Sequence, residues 1–222
     1  MRSCCSSRCG AIEEQFDARV AQRELVQYSK RGAGPTTKLL RDGVAAGGGP
    51  FETLIDVGAG IGALTFELLK HGVRRAVSID ASTACVTAGR EEAVRRNLAE
   101  QVQWVHGDYV ALADQLAPAD VVTLDRVVCC YPGFEPLLAA AARHARRCLA
   151  ISYPRDVSFV RVAMAAENAL RRLKGRTFRT VLHSPHEMER LIRSEQFALS
   201  ARRTTWFWCV DVYLRPRPSE SS

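Results

Sequence analysis

Apolar residues in this chain follow two periods in turn. Strand-length apolar runs occur at 54–57, 75–79, 102–105, 121–124 and 148–153. Between them lie stretches whose apolar positions recur every three or four residues, the period of a helix with one buried face. The pattern predicts helices over 61–71, closed by Gly72, and over 82–97, capped by Ser82. Further helices are predicted over 110–116, 134–147, 157–173 and 184–194. Ser184-Pro185-His186-Glu187 is a capping box with proline at the first helical position. Two helices precede the first strand: 12–31, with Ile12, Phe16, Val20 and Leu25 on one side and Gly32 after it, and 36–44. Two last strands, 198–203 and 205–214, are joined too tightly for a parallel crossover and must pair antiparallel. Strands alternating with helices build an α/β fold: a doubly wound, Rossmann-like, seven-stranded, mostly parallel sheet with an antiparallel C-terminal strand and helices on both faces.

A chain of 222 residues that is 47% hydrophobic can bury one core, so one domain is expected. The expected division is a helical arm over 1–50, the sheet domain over 51–215, and a disordered tail over 216–222, with Gly47-Gly48-Gly49-Pro50 as linker. No apolar run reaches membrane-spanning length, and Met1 to Arg8 has no apolar signal core, so the expected location is the cytoplasm and no membrane partner is expected. The formal net charge of +7 raises nucleic acid as a partner. Its distribution speaks against specific binding, because the basic pairs Arg74-Arg75, Arg95-Arg96, Arg146-Arg147, Arg171-Arg172 and Arg202-Arg203 are scattered and lack interleaved aromatics. The eight cysteines are expected to be reduced thiols. Cys85, Cys148 and Cys209 read as small core residues. Cys4, Cys5, Cys129 and Cys130 are candidates for a soft-metal site, although their spacing fits no zinc motif and a packed Cys129-Cys130 pair is the default.

The chemistry concentrates where the strands end. Leu54-Ile55-Asp56-Val57-Gly58-Ala59-Gly60-Ile61-Gly62 passes from a strand through a glycine turn into a helix, which turns free N–H groups and a positive dipole end toward a ligand. Gly58, Gly60 and Ala63 also satisfy a dinucleotide loop, but Asp56 would then lie beside a pyrophosphate. An acid there favours a ligand with a cationic end. Asp80 closes the second strand, where a carboxylate meets a ribose diol in such sheets. The third strand runs into His106-Gly107-Asp108 and the fourth into Asp125, so four successive strands end near an acid.

These motifs resemble the class I S-adenosylmethionine-dependent methyltransferases over about residues 53–214. Asp56 to Gly62 resembles the family's first motif, Asp80 its ribose-binding acid, Gly107-Asp108-Tyr109 its adenine-flanking segment, and Asp125-Arg126 the end of the fourth strand beside the transfer pocket. The resemblance implies S-adenosyl-L-methionine as cofactor and a small-molecule methyl acceptor. It assigns Asp56 to the methionine ammonium, Gly58, Ala59, Gly60 and Gly62 to the floor, Asp80 to the ribose, Ala81, Asp108 and Tyr109 to the adenine, and Asp125 to the pocket mouth. Tyr28 and Arg31, near the end of an N-terminal arm, are expected over the cofactor, with Arg31 on its carboxylate. The layout is also similar to magnesium-protoporphyrin O-methyltransferases, but Asp125-Arg126-Val127-Val128 departs from the porphyrin pattern. The same segment lacks both the Asn-Pro-Pro-Tyr type of motif of base-amino methyltransferases and the Pro-Cys order of cytosine-C5 enzymes.

Methyl transfer from a sulfonium neutralises charge and needs alignment more than acid–base chemistry. Where the acceptor must lose a proton, His106, Tyr131 and His183 are the candidate catalytic residues, whereas His71 and His144 read as helix-surface residues. The sequence leaves open a non-catalytic cofactor-binding or soft-metal-binding module on the same fold. It also leaves open an NAD(P)-dependent reductase, which would lack the Tyr-x-x-x-Lys pair.

Overall fold

The computed structural model describes residues 7–216. Cys4 and Cys5, the 1–6 part of the arm and nearly all of the expected tail lie outside the described residues. The strands are β1 (Thr53–Val57), β2 (Arg75–Asp80), β3 (Val102–His106), β4 (Ala119–Leu124), β5 (Ala145–Pro154), β6 (Ala198–Thr204) and β7 (Trp208–Leu214). They form one sheet in the order β3-β2-β1-β4-β5-β7-β6, in which β7 alone runs against its neighbours. The chain winds outward from β1 toward β3 and then restarts at β4 on the other side of β1. Strand order therefore reverses between β1 and β4, which opens a crevice at their carboxyl ends.

The helices are α1 (Ser7–Gln15), α2 (Ala18–Arg31), α3 (Pro35–Ala46), α4 (Ala63–Lys70), α5 (Thr83–Arg95), α6 (Tyr109–Leu112), α7 (Glu135–His144), α8 (Ser158–Leu173) and α9 (Pro185–Ser194). Alternate strand residues feed two cores. Leu54 and Val121 pack with Leu40, Leu64, Phe66 and Trp104 on the α2–α5 face. Ile55, Val122 and Leu124 pack with Tyr109, Leu137, Leu138 and Ile192 on the α6, α7 and α9 face. Side chains of this size contribute about 1.5–3 kcal/mol each when fully buried.

Two sequence expectations are corrected by this arrangement. The helix expected over 12–31 is two helices, because the Asp17 carboxylate accepts from the N–H groups of Arg19 and Val20 and starts a new helix there. His144 is not on a helix surface. It is buried, with Nδ1 2.6 Å from the Tyr109 hydroxyl. The predicted cap at Ser184 is present, its hydroxyl accepting from the Glu187 N–H.

Candidate functional site

The loop from β1 to α4 is a run of left-handed glycines, with φ +62° at Gly58, +55° at Gly60 and +84° at Gly62. A Cβ on Gly62 would lie 2.6 Å from the Trp104 ring, and one on Gly58 would collide with Val127. Both positions need glycine for conformation and for space. The loop is tied down by the Ala59 N–H donating to the Ile79 carbonyl at 3.0 Å and the Gly62 N–H to Ala59 at 2.8 Å. It borders a cavity of about 350 Å³. Asp56, Gly58, Ala59, Gly60, Asp80, Ala81, Tyr109 and Asp125 all line that cavity, so most of the residues singled out in the sequence converge on one place.

Asp56 sits at the cavity floor and is 1% exposed. Its two oxygens accept from Thr65 Oγ1 at 2.8 Å and Thr123 Oγ1 at 2.7 Å, and Thr65 is also 2.8 Å from the Ser78 hydroxyl. Burial pushes its carboxyl up to about 7, against the lowering effect of the threonine hydroxyls. A cationic ligand would reverse that balance. Because the folded value lies above the ordinary 3.8, the protonated carboxyl adds stability that is fully present below about pH 4 and is lost as pH rises through 7. We expect Asp56→Asn to melt several degrees above the unsubstituted protein at pH 8 in the absence of ligand, with the gap closing by about pH 4. Thermal melts at the two pH values test this, and an unchanged gap would show that Asp56 carries no such ionisation cost.

Asp80 presents its carboxylate at the end of the neighbouring strand. Oδ2 accepts from the Gly60 N–H at 2.7 Å and Oδ1 from the Ser82 N–H at 2.8 Å. Burial raises it to about 6 in spite of these bonds. Asp108 is placed differently. It caps α6 through the Val110 N–H and accepts from the Tyr131 hydroxyl at 2.6 Å, and it does not line the cavity. Tyr109 lines the cavity but turns its hydroxyl to His144.

At the far end, Asp125 accepts from Thr37 Oγ1 at 2.6 Å and Ser152 Oγ at 2.7 Å. Arg126 follows with φ +62°, rare for a residue with a side chain, and its N–H donates to Ser152 Oγ at 2.7 Å. Its carbonyl accepts from both the Cys129 and Cys130 thiols at 3.6 Å. Both cysteines line the cavity. Among the described residues no cluster of three or more His, Cys, Asp or Glu side chains could hold a metal. Met164, Glu167 and Arg171 of α8, with Phe178, Phe207 and Trp208, complete a largely apolar wall.

The arm covers the cavity with residues other than those expected. Ile12, Gln15 and Phe16 line it from above, α1 being fastened by Ser82 Oγ donating to the Phe16 carbonyl at 2.6 Å. Glu24 of α2 lines it beside Gly60, and burial raises its carboxyl more than Arg126 lowers it. Tyr28 lies outside the cavity. It is buried on α4, donating to Glu67 Oε1 at 2.9 Å, with the Arg96 guanidinium 4.7 Å from its ring centroid. Arg31 is exposed and outside the cavity as well. His106 lies at the rim, 3.2 Å from Glu13 Oε1, and His183 faces the Tyr131 carbonyl at 2.9 Å; neither lines the cavity. Tyr131 does line it, but its hydroxyl is given to Asp108. Glu24 was missed in the sequence although the signal exists: it is an acid on the stripe that Ala21, Leu25 and Tyr28 bury.

A glycine cradle between acid-ended strands, at the point where a seven-stranded sheet with one antiparallel strand reverses its order, defines the class I methyltransferase architecture. Residues 54–151 match the methyltransferase domain family. The matched segment runs from β1 into β5 and holds the glycine loop, Asp80 and Asp125. Over 76 residues it is 34% identical to the ubiquinone/menaquinone biosynthesis C-methyltransferase UbiE of Ruegeria sp. (strain TM1040), a match spanning 34% of this chain and only 30% of that relative. Among solved structures, magnesium protoporphyrin IX methyltransferase from Synechocystis PCC 6803 with bound SAH superposes with a TM-score of 0.70 at 18% identity, covering 95% of this chain and 100% of the other. An O-methyltransferase family protein from Burkholderia thailandensis gives 0.71 at 19% identity over 91% and 62%. Geranyl diphosphate C-methyltransferase from Streptomyces coelicolor A3(2) gives 0.68 at 12% over 96% and 100%. At these identities the likeness is one of fold.

Proposed function

We propose that this protein transfers the methyl group of S-adenosylmethionine to a cytoplasmic small molecule with an apolar body. The observation that carries the reading is the placing of Asp56 and Asp80, at the ends of adjacent strands, on either side of the Gly60 turn in one cavity. The residues fit the cofactor. Left-handed glycines leave room for close approach, Asp80 presents acceptors to a ribose diol, and Asp56 and Glu24 put negative charge where a cationic methionine end would lie. When bound, the cofactor supplies a sulfonium methyl open to in-line displacement.

The chain's own contribution is alignment and exclusion of water. Thr37 and Ser152 hold Asp125, and Ser152 also holds the Arg126 backbone, so the cavity mouth is fixed by hydrogen bonds. Met164, Phe178, Phe207 and Trp208 offer an apolar seat for the acceptor, with the Arg126 and Arg171 guanidiniums beside it. The histidines outside the cavity and the committed Tyr131 hydroxyl favour an acceptor that needs no protein base. Titration calorimetry tests the reading against a nicotinamide-dependent one. We expect micromolar binding of S-adenosylhomocysteine and none of NADH, because a pyrophosphate would meet the acids around the loop. Binding of NADH alone would replace the proposal with the reductase, and a folded protein silent to both would point to the non-catalytic module.

A further inference from the structure

Helix α8 carries an apolar face that no other described residue covers except Trp206. Val160 and Met164 are buried against the domain. On the opposite side Phe159, Val162, Ala163, Ala166, Ala169, Leu170 and Leu173 are all exposed, Val162 at 69% and Leu173 at 85%. At about 100° per residue these seven project within roughly 60° of the Ala166 direction, so they form one continuous stripe. Trp206 extends it from the turn between β6 and β7. That ring is 74% exposed and stacks on Phe159 with centroids 5.4 Å apart and planes 4° from parallel.

The stripe is a palindrome about Ala166. Phe159 and Leu173 are equally far from it on either side, as are Val162 and Leu170, and Ala163 and Ala169. An antiparallel pair of such helices related by a two-fold axis at Ala166 sets each residue against its mirror position. Phe159 then meets Leu173 of the other copy, and Val162 meets Leu170. The three alanines at the centre let the two backbones approach closely, while the large side chains interdigitate at the ends. A two-fold interface requires this self-complementarity, in which residue i meets j and j meets i.

We propose that a second copy of this chain covers the α8 stripe, forming an antiparallel two-fold helix pair. The charges agree. Arg161 and Arg171 lie on the far side of the helix and are paired with Asp156 and Glu167, so the stripe itself holds no ionisable group. Its borders carry Ser158, Ala165 and Arg172 on one side and Glu167 and Lys174 on the other, so each side has one base and an acid interrupts the continuous basic rim of a helix lying on an anionic bilayer. One helix and one tryptophan per copy place the interface at the small end of specific contacts, so association on the order of micromolar is expected. Met164 and Arg171 on the other side of α8, with Glu167 at the border, line the cavity, so the pairing braces that wall.

Sedimentation velocity from about 1 to 100 µM, together with the Val162→Glu/Leu170→Glu variant, tests the proposal. Both positions are exposed, so the variant should fold with an unchanged circular dichroism spectrum and melt. The unsubstituted chain is expected to move from monomer to dimer over that range and the variant to stay monomeric. Ala166→Cys adds a geometric test, because a residue on the axis faces its own copy. Mild oxidation should give a linked dimer with Ala166→Cys that neither the unsubstituted chain nor Arg172→Cys gives. A chain monomeric at all concentrations, or a dimer indifferent to the two glutamates, would overturn the proposal. So would a monomer that floats with anionic phospholipid vesicles and loses this in the variant, which would assign the stripe to a bilayer.

Discussion

Asp80→Ala is expected to weaken S-adenosylhomocysteine binding by a factor on the order of 100 or more, about 3 kcal/mol, with the fold retained. Two losses combine. The carboxylate offers charged acceptors to a ribose diol, and each such bond is worth about 1.5–3 kcal/mol. It also holds the Gly60 N–H at 2.7 Å and the Ser82 N–H at 2.8 Å, so its removal loosens the left-handed turn and the start of α5 together. Asp80→Asn separates the two losses, since an amide oxygen can keep one backbone bond while the charge is gone. An intermediate affinity is expected for it. The pH dependence runs in the same direction. With the carboxyl at about 6 in the ligand-free protein, affinity should fall as pH drops below that value and the acceptor becomes a protonated acid. Calorimetry at pH 7.5 and 5.5 reads both effects. Affinity within threefold of the unsubstituted protein for Asp80→Ala would remove Asp80 from the ribose and undo the assignment of the cavity's adenosine half.

The part of the site built on strand ends was legible in the sequence because local pattern and tertiary position coincide there. A strand that runs into glycines or into an acid places those residues at the carboxyl edge of a parallel sheet whatever the rest of the chain does. Asp56, Gly60, Asp80 and Asp125 reach the cavity for that reason. Asp108 shows the limit of the rule. It follows β3 as expected, but it starts a four-residue helix and spends its carboxylate on Val110 and Tyr131. The arm was less legible. A continuous apolar period over 12–31 hid the break at Asp17, although an aspartate two and three residues ahead of free N–H groups is a helix start in its own right. With the break in place the helix phase shifts, Glu24 turns to the cavity and Tyr28 to Glu67. His144 was misread for a related reason: its position at the end of α7 suggested solvent, but the helix end is buried under Tyr109. The exposed face of α8 was present as a period and went unused, because periodicity says that a face is apolar and not which face meets the core.

The largest stability effect is expected at a residue that sequence reading passed over. Asp211 lies inside the run from Trp208 to Leu214 and is 0% exposed. It accepts from the Tyr153 hydroxyl at 2.7 Å, the Tyr213 hydroxyl at 3.1 Å and the Arg202 guanidinium at 2.7 and 2.8 Å. These donors come from β5, β7 itself and β6, so one carboxylate binds the antiparallel strand to both neighbours. Asp211→Ala leaves two buried hydroxyls without their acceptor, at about 1–3 kcal/mol each, while the Arg202 guanidinium keeps Glu189 at 3.0 Å, so a melting temperature lower by about 10 °C is expected. Asp211→Leu would restore volume but not the acceptors, and should be destabilised nearly as much. If Asp211→Leu instead melted with the unsubstituted protein, apolar packing and not the carboxylate would be closing the sheet. The functional consequence should be uneven. Phe207 and Trp208, just before and at the start of β7, line the end of the cavity proposed for the acceptor, whereas β1 and β2 carry the end proposed for the adenosine, on the other side of the sheet's reversal point. Below its melting temperature the Asp211→Ala protein is therefore expected to keep its affinity for S-adenosylhomocysteine within about threefold while losing acceptor turnover. A parallel loss of both would mean that the two ends of the cavity do not fold independently, and that the antiparallel strand supports the cofactor cradle as well as the acceptor seat.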